Sequence, residues 1–149
     1  MTRTPLRRVG KRGMNLRMLD RLLREVVLRR DGNKCRFGVQ CLFIRSHGTT
    51  GRGHALQAMH IYGKGAHPAL RYELKNVVAG CQPLHHWWHQ NGFGREAEDR
   101  DNLVRKFCIE TLGKDYMDHL DMLSQVRKGA NSDNAAIKLM LEAELRKLS

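Results

Sequence analysis

The chain has 149 residues, of which 41% are hydrophobic, so it is long enough for one compact domain but hardly for two. No run approaches the roughly 18 consecutive apolar residues that a membrane-spanning helix needs, and the basic first residues lack the apolar stretch of a signal peptide. The sequence therefore predicts a soluble, intracellular, cytoplasmic protein with no membrane partner.

The balance of charge points to a polyanionic partner. Lys and Arg number 27 against 15 Asp and Glu, which gives a net charge of +12. Residues 1–53 hold 14 of these cations and only three acids, so nearly all of the excess positive charge lies in the first third of the chain. A field of this kind favours binding to nucleic-acid phosphates with a strong dependence on salt. The alternative is a basic surface that only keeps the protein in solution.

Two elements are predicted in this basic region. Residues 1–13 have no apolar periodicity and predict a flexible basic arm. Leucines and valines at three- and four-residue spacing then predict an amphipathic helix over 15–30, which ends at the turn residues 31–33. The predicted DNA contacts of the arm are its five cations, Arg3, Arg7, Arg8, Lys11 and Arg12.

Strands and further helices follow, and together they predict an α+β fold. Residues 56–62 and 76–81 are the candidate strands, because short apolar runs lie between turn residues there. A helix is predicted to begin at His85. We expect residues 14–94 to form the core of the protein and 95–149 to form a C-terminal helical extension. The extension is predicted to hold three helices, over 95–112, 115–127 and 133–147, the last capped by Ser132 or Asp133.

Two histidines of the helix that begins at His85 have the spacing of metal ligands. His85 and His89 are four residues apart, so on a helix their imidazoles lie on one face and can bind the same ion. The spacing alone is weak evidence, but packing does not explain several imidazoles interleaved with Trp87 and Trp88. The two tryptophans themselves are expected to be core residues rather than platforms for stacked bases.

Clustered cysteines in a reducing compartment are more often metal ligands than disulfides. Cys108 lies within an apolar helical pattern and is predicted to be a buried, inert thiol. Three others remain, Cys35, Cys41 and Cys81. These three would need a histidine to complete a tetrahedral zinc site.

Three segments in chain order carry a specific resemblance. They are Leu56-Gln-Ala-Met-His60-Ile-Tyr62, Arg71-Tyr-Glu-Leu-Lys-Asn76-Val77 and Cys81-x3-His85-x3-His89. Together they resemble the HNH endonuclease family, most closely the branch found in phage recombination and packaging-associated nucleases, and residues 28–35 resemble that branch too. The likeness spans about residues 19–91. It implies a ββα-metal core, and a phage-encoded DNA endonuclease in a bacterial host. Branched or nicked DNA is one candidate substrate, and the sequence leaves flap and plain duplex DNA open as well.

The resemblance also implies the roles of the site residues. His60 would be the general base that takes a proton from the attacking water, and Asn76 would fix the connecting loop beside it. His85 and His89 would hold a divalent cation, either Mg²⁺ or Mn²⁺ or alternatively Zn²⁺ or Ni²⁺, that stabilises charge at the scissile phosphate. Arg71, whose forked guanidinium suits two phosphate oxygens, would clamp the substrate. The products would carry 5′-phosphate and 3′-hydroxyl ends.

Two positions depart from the family pattern. Many members carry Asp or His immediately before the general base as a further metal ligand, and here that residue is Met59, which binds hard cations poorly. The family usually supplies two zinc ligands from the segment that contains Cys81, but here the partner position is Leu84. His86 is the nearest candidate for the fourth ligand of a structural zinc beside the three cysteines, and the alternative is a metal-free segment held by packing. The other histidines nearby, His47 and His54, are expected to be exposed loop residues.

The departure at Met59 keeps two other functions open. One is a zinc-knuckle protein that binds nucleic acid without hydrolysing it, which would need neither His60 nor Asn76. The other is an RNA-binding zinc protein of ribosomal type, which would share the charge but not the order of the His, Asn and His residues.

Overall fold

The computed structural model describes residues 11–47, 55–91, 102–126 and 133–149 of the chain. This part contains helices on both sides of a small antiparallel sheet, which confirms the α+β class predicted from the sequence. The helices are α1 (Lys11–Arg30), α2 (Gln82–Gln90), α3 (Leu103–Leu112), α4 (Lys114–Val126) and α5 (Asn134–Lys147), and the strands are β1 (Leu56–His60) and β2 (Val77–Cys81). Short 3-10 turns lie between them at Gly38–Gln40, Ile44–Ser46, Pro68–Leu70 and Leu74–Asn76. None of the helices in the described ranges has the length and apolar character needed to span a membrane.

The sheet separates two hydrophobic clusters. β1 and β2 are paired with Leu56 opposite Cys81 and His60 opposite Val77. Successive side chains of a strand point to opposite faces, so Met59 belongs to one cluster and its neighbour Ala58 packs against the other. The pairing places His60 at the end of the sheet where β1 ends and β2 begins.

α1 and α5 cover one face of the sheet. Leu19, Leu23, Val26 and Val27 of α1 recur at the spacing of one helical face and are completely or almost completely buried. They share their cluster with Leu141 of α5 and with the inner residues of β2. The amphipathic pattern of α1 therefore serves to pack this helix between the sheet and the last helix of the chain.

α1 is longer than the sequence predicts. It begins at Lys11 and not at residue 15, so residues 11–13 belong to the helix and not to the predicted arm. Lys and Arg are good helix formers, and one glycine within a long helix costs only about 1 kcal/mol. The other residues of the predicted arm, 1–10, lie outside the described ranges.

α2, α3 and α4 pack on the opposite face, in the cluster that contains the cysteines of the sheet and turns. Phe107 of α3 contacts Phe37 and Trp88, with ring centroids 4.9 and 6.4 Å apart. Trp88 and Cys108 are buried in this cluster, as predicted. Burial also raises the pKa of the Cys108 thiol, which keeps it protonated and unreactive.

The end of α1 is tied to the outer edge of β2. The carboxylate of Asp31 accepts hydrogen bonds from the backbone N–H of Ala79 at 2.9 Å and from Nε of Arg30 at 2.8 Å. The backbone N–H of Arg36 donates to the carbonyl oxygen of Ala79 at 2.8 Å. Both backbone groups of Ala79 are thus satisfied on the edge that β1 does not cover. This pairing holds β2 in place, and Asn76 lies immediately before β2.

Candidate functional site

His60 is the last residue of β1, and its ring nitrogen Nε2 lies 2.9 Å from the carbonyl oxygen of Arg71. A carbonyl oxygen can only accept a hydrogen bond, so Nε2 carries the hydrogen and Nδ1 keeps a free lone pair. Burial lowers the pKa of His60, and the positive charge of Lys64 adds to this effect. The ring is therefore neutral at neutral pH, which is the form that a general base needs.

Asn76 is completely buried before β2 and ties down the loop that leaves β1. Its side-chain oxygen accepts from the backbone N–H of Tyr62 at 2.7 Å, and its Nδ2 donates to the carbonyl oxygens of Tyr62 and Leu70, both at 3.0 Å. Its own carbonyl oxygen accepts from the N–H of Ile61 at 2.8 Å. Asn76 therefore holds the backbone directly after His60, which is the loop-fixing geometry that the resemblance implies.

Residues of α3 and α4 also hold the loop that follows His60. The hydroxyl of Tyr62 donates to Asp121 of α4, and Arg105 of α3 binds the two oxygens of that carboxylate at 3.0 and 2.5 Å. Burial alone would raise the pKa of Asp121, but the hydrogen bonds from Arg105 and Tyr62 bring it below its usual value. α3 and α4 thus contribute directly to the position of the residues that follow His60.

His85 and His89 meet on one face of α2, as their spacing predicts. Their Nε2 atoms lie 2.8 Å apart, and two ring nitrogens bound to one ion at about 2.0–2.1 Å each would lie roughly 3 Å apart. Nδ1 of His85 is hydrogen-bonded to the side-chain oxygen of Gln57 on β1, which places the hydrogen on Nδ1 and leaves a lone pair on Nε2. This lone pair faces Nε2 of His89 and is the one that a metal would take. Burial lowers the pKa of His85 to about 4, with smaller effects from His89, His60 and Lys64. The ring is therefore in the neutral form that binds metals.

The surroundings of this pair determine which metals suit it. Within the described residues, no further Cys, His, Asp or Glu joins His85 and His89 to make a group of three ligands. Met59 is completely buried. Its sulfur packs so closely against Gly80 of β2 that a Cβ atom at Gly80 would lie 1.9 Å from it. The donors are thus two imidazoles, a set that fits Zn²⁺ or Ni²⁺ better than Mg²⁺.

Arg71, the predicted phosphate clamp, is bound to Asp20 of α1. Its Nε and Nη2 atoms lie 3.0 and 2.6 Å from the two carboxylate oxygens. The Nε and Nη2 edge of the guanidinium, which could bind two phosphate oxygens, is therefore occupied by an internal ion pair. Nζ of Lys64 lies 3.8 Å from the same carboxylate. Burial alone would raise the pKa of Asp20, but the hydrogen bonds and charge of Arg71 bring it below its usual value.

The predicted DNA contacts of the arm fall at the edge of the described chain. Two of the five lie in the first turn of α1, and three lie outside the described residues. The two are Lys11 and Arg12, and the three are Arg3, Arg7 and Arg8. The basic character of α1 continues beyond this turn with three exposed arginines, Arg17, Arg21 and Arg24.

Three cysteines and a histidine form a second candidate metal site. Cys35, Cys41, His47 and Cys81 place their ligand atoms within 4.8 Å of one another, and the sulfurs of Cys41 and Cys81 are 3.7 Å apart. Two thiolates on one tetrahedral zinc, with Zn–S bonds of about 2.3 Å, would lie about 3.8 Å apart. The backbone N–H of Phe43 points at the sulfur of Cys41 from 3.4 Å, a contact that favours a thiolate. The cluster could therefore bind a metal ion such as zinc.

The fourth member of this cluster is His47, and not His86 as predicted from the sequence. A 3-10 turn brings His47 back to the cysteines, where its Nε2 atom is buried and has no hydrogen-bond partner among the described residues. His86 is exposed, because neighbouring residues differ by about 100° around a helix and His85 occupies the side that faces β1. The prediction that His47 is an exposed loop residue is therefore also wrong. His54 lies outside the described residues.

Comparisons of the chain with family models, with curated proteins and with solved structures give no match.

Proposed function

We propose that the protein is a metal-dependent DNA endonuclease of the HNH type, built on a ββα-metal core, which hydrolyses phosphodiester bonds to 5′-phosphate and 3′-hydroxyl ends. The observation that carries the proposal is the order of elements around the site. His60 ends β1, Asn76 precedes β2, and His85 and His89 lie on the helix that follows β2 at once. Strand pairing brings the first two together, and Gln57 of β1 contacts His85. Such a unit can place a base and a metal-binding pair at one phosphate.

His60 is suited to activating a water molecule. Its Nδ1 atom has the free lone pair, because Nε2 donates to the carbonyl oxygen of Arg71. Nδ1 can therefore accept a proton as the water attacks the scissile phosphorus. The contact with Arg71 also fixes the orientation of the ring, and Asn76 fixes the loop that carries Arg71 by binding the carbonyl oxygen of Leu70.

His85 and His89 are suited to holding the metal. A divalent cation on their Nε2 atoms would neutralise charge on the scissile phosphate and on the departing 3′ oxygen. Gln57 orients the ring of His85 for this task. A net charge of +12 supports a polyanionic substrate.

We also propose that Cys35, Cys41, His47 and Cys81 bind a structural zinc ion. The ligands come from the turns after α1 and from the end of β2, so zinc would fasten the segment 35–47 to the sheet. Binding to such a site adds directly to the free energy of folding. Because Cys81 ends β2 immediately before α2, this zinc would also fix the start of the helix that carries the histidine pair.

A nucleic-acid-binding protein with a zinc knuckle and no hydrolytic activity is the second candidate. Two observations favour it. Met59 supplies a core side chain where many members of the HNH family have a metal ligand. The Nε and Nη2 atoms of Arg71 are bound to Asp20, so this edge of the guanidinium is not available to a phosphate. This alternative keeps the basic charge and the cysteine cluster but not the chemistry of His60.

Incubation of the purified protein with supercoiled plasmid separates the two candidates. The protein is tested with Mg²⁺, Mn²⁺, Ni²⁺ and Zn²⁺ in turn, and with a chelator. An endonuclease converts the plasmid to nicked or linear DNA with at least one metal, and its nicks can be sealed by DNA ligase because they carry 5′ phosphates. Binding without cleavage in every metal would favour the second candidate.

A further inference from the structure

α1 carries three arginines along its exposed side, Arg17, Arg21 and Arg24, here called the basic stripe. At 100° per residue they fall within about 60° of one another around the helix. Arg24 donates to the carbonyl oxygen of Leu56 at 3.0 Å, at the start of β1. Asp20, one turn earlier in α1, lies beside the other end of β1. The basic stripe therefore runs along β1 towards the candidate site.

The acidic residues of α1 do not neutralise the stripe. Asp20 binds Arg71 at 3.0 and 2.6 Å, and Glu25 binds Arg29 at 2.6 Å. Among the residues that the structure describes, neither of the first two arginines of the stripe takes part in an ion pair. These two guanidinium groups are therefore available to an anion from outside the described chain.

A further cation, Lys64, extends the stripe to the candidate site. It lies in the loop that leaves β1, its side chain is 51% exposed, and its Nζ atom is 3.8 Å from the carboxylate of Asp20. Arg71 holds that carboxylate at 2.6 Å, so Lys64 is the less constrained of the two cations. Lys64 shares Asp20 with Arg71, whose carbonyl oxygen accepts from Nε2 of His60 at 2.9 Å, so the charge of Lys64 lies close to the proposed base.

We propose that Lys64 and the basic stripe form the surface that binds the phosphodiester backbone of DNA and leads one strand to His60. The inference rests on the proposed endonuclease function and identifies the part of the chain that holds the substrate. The stripe spans about 10 Å of helix axis, and one strand of duplex DNA carries a phosphate about every 3.4 Å along its axis, so the stripe can contact about three phosphates. Lys64 takes the place at the scissile phosphate that the Nε and Nη2 edge of Arg71 cannot take while Asp20 holds it.

The test is the salt dependence of DNA binding, which does not require cleavage. Binding of a short fluorescent duplex is measured by anisotropy over a series of KCl concentrations without added divalent cation. Log affinity falls as log salt rises, and Lys64→Ala should reduce the magnitude of this negative slope by about 0.9. The double variant Arg17→Ala/Arg21→Ala should reduce it by about 1.8. Lys64→Arg keeps the charge and should keep the wild-type slope.

The matched controls are Lys114→Ala and the double variant Lys106→Ala/Lys114→Ala, which remove the same charges from α3 and α4 on the other side of the sheet. Their slopes should stay at the wild-type value, and melting temperatures show that every variant folds. If Lys64→Ala and Arg17→Ala/Arg21→Ala also keep the wild-type slope, the proposed surface is wrong, whatever the cleavage assay gives. If the slopes of Lys64→Ala and Arg17→Ala/Arg21→Ala become shallower while no metal supports cleavage, the DNA-binding surface stands and the endonuclease proposal fails.

Discussion

The Nε2 atoms of His85 and His89 lie 2.8 Å apart on one face of α2, and Gln57 holds Nδ1 of His85 from β1. We expect His89→Ala to abolish cleavage at low metal concentration, because one of the two nitrogen ligands is lost. The fold should stand, since His89 is exposed. Gln57→Leu should weaken the apparent metal affinity by about 10–100-fold, because it removes the group that orients a ligand. The measurement is the metal concentration that gives half-maximal nicking.

The control for the histidine pair is His86→Ala, on the same helix and exposed. It removes an imidazole next to the pair but no proposed ligand, so its metal dependence should match that of the wild-type protein. Normal nicking by His89→Ala at low metal concentration would show that the pair does not hold the metal.

The acid side of the pH–rate profile reports on His60. Burial holds the pKa of His60 below the usual 6.5, and a general base acts only when it is unprotonated. The rate should therefore fall as the pH drops, with a midpoint below 6.5. The charge of Lys64 is one cause of the low pKa, so Lys64→Gln should move the midpoint to higher pH. A shift to lower pH in that variant would mean that the titrating group is not His60.

Asn76 should be important for stability as well as for activity. Asn76→Ala leaves the N–H of Tyr62 and the carbonyl oxygens of Tyr62 and Leu70 without their buried partner. We expect the free energy of unfolding to fall by about 2–4 kcal/mol, measured by urea denaturation. Gln82→Ala, at an exposed position of α2, is the control and should change it by less than about 0.5 kcal/mol. Equal stabilities of the two variants would contradict the role assigned to Asn76.

The cysteine cluster makes a separate prediction about zinc. Cys41→Ser and His47→Ala should each lower the zinc content and the melting temperature, because binding to this site is part of the free energy of folding. Burial raises the pKa of Cys41 to about 12, so zinc uptake should release protons as the thiols ionise. Elemental analysis beside thermal melting measures both effects. His86→Ala should keep its zinc, and zinc loss from His86→Ala but not from His47→Ala would restore the assignment made from the sequence.

Local patterns were enough to predict most helices and strands, because the helices bury one side and β2, which is buried on both faces, is a short apolar run between turn residues. The strand predicted over 76–81 corresponds to β2 (Val77–Cys81), and Asp133 caps α5 by accepting hydrogen bonds from the next helical N–H groups. The first and last residues of the elements were predicted less well. α2 begins at Gln82 and not at His85, because Pro83 is well suited to a first helical turn.

Contacts between distant segments could not be predicted in this way. Asp20 and Arg71 are 51 residues apart, and nothing in the local pattern of either segment indicates that they pair. His47 is a different case, because Cys35-x5-Cys41-x5-His47 repeats one spacing and could have suggested the fourth ligand. Only the folded chain shows that the turn before His47 returns its ring to the sulfurs.

The central claim is that His60 is the base of a phosphodiester-cleaving site. The most direct measurement compares the rates of plasmid nicking by the wild-type protein and by His60→Ala, in the metal that supports the highest wild-type rate and at matched DNA occupancy. We predict metal-dependent nicking by the wild-type protein and a loss of about 10²–10⁴-fold in the variant, with DNA affinity unchanged and the fold retained. Nicking by His60→Ala at close to the wild-type rate would contradict the claim.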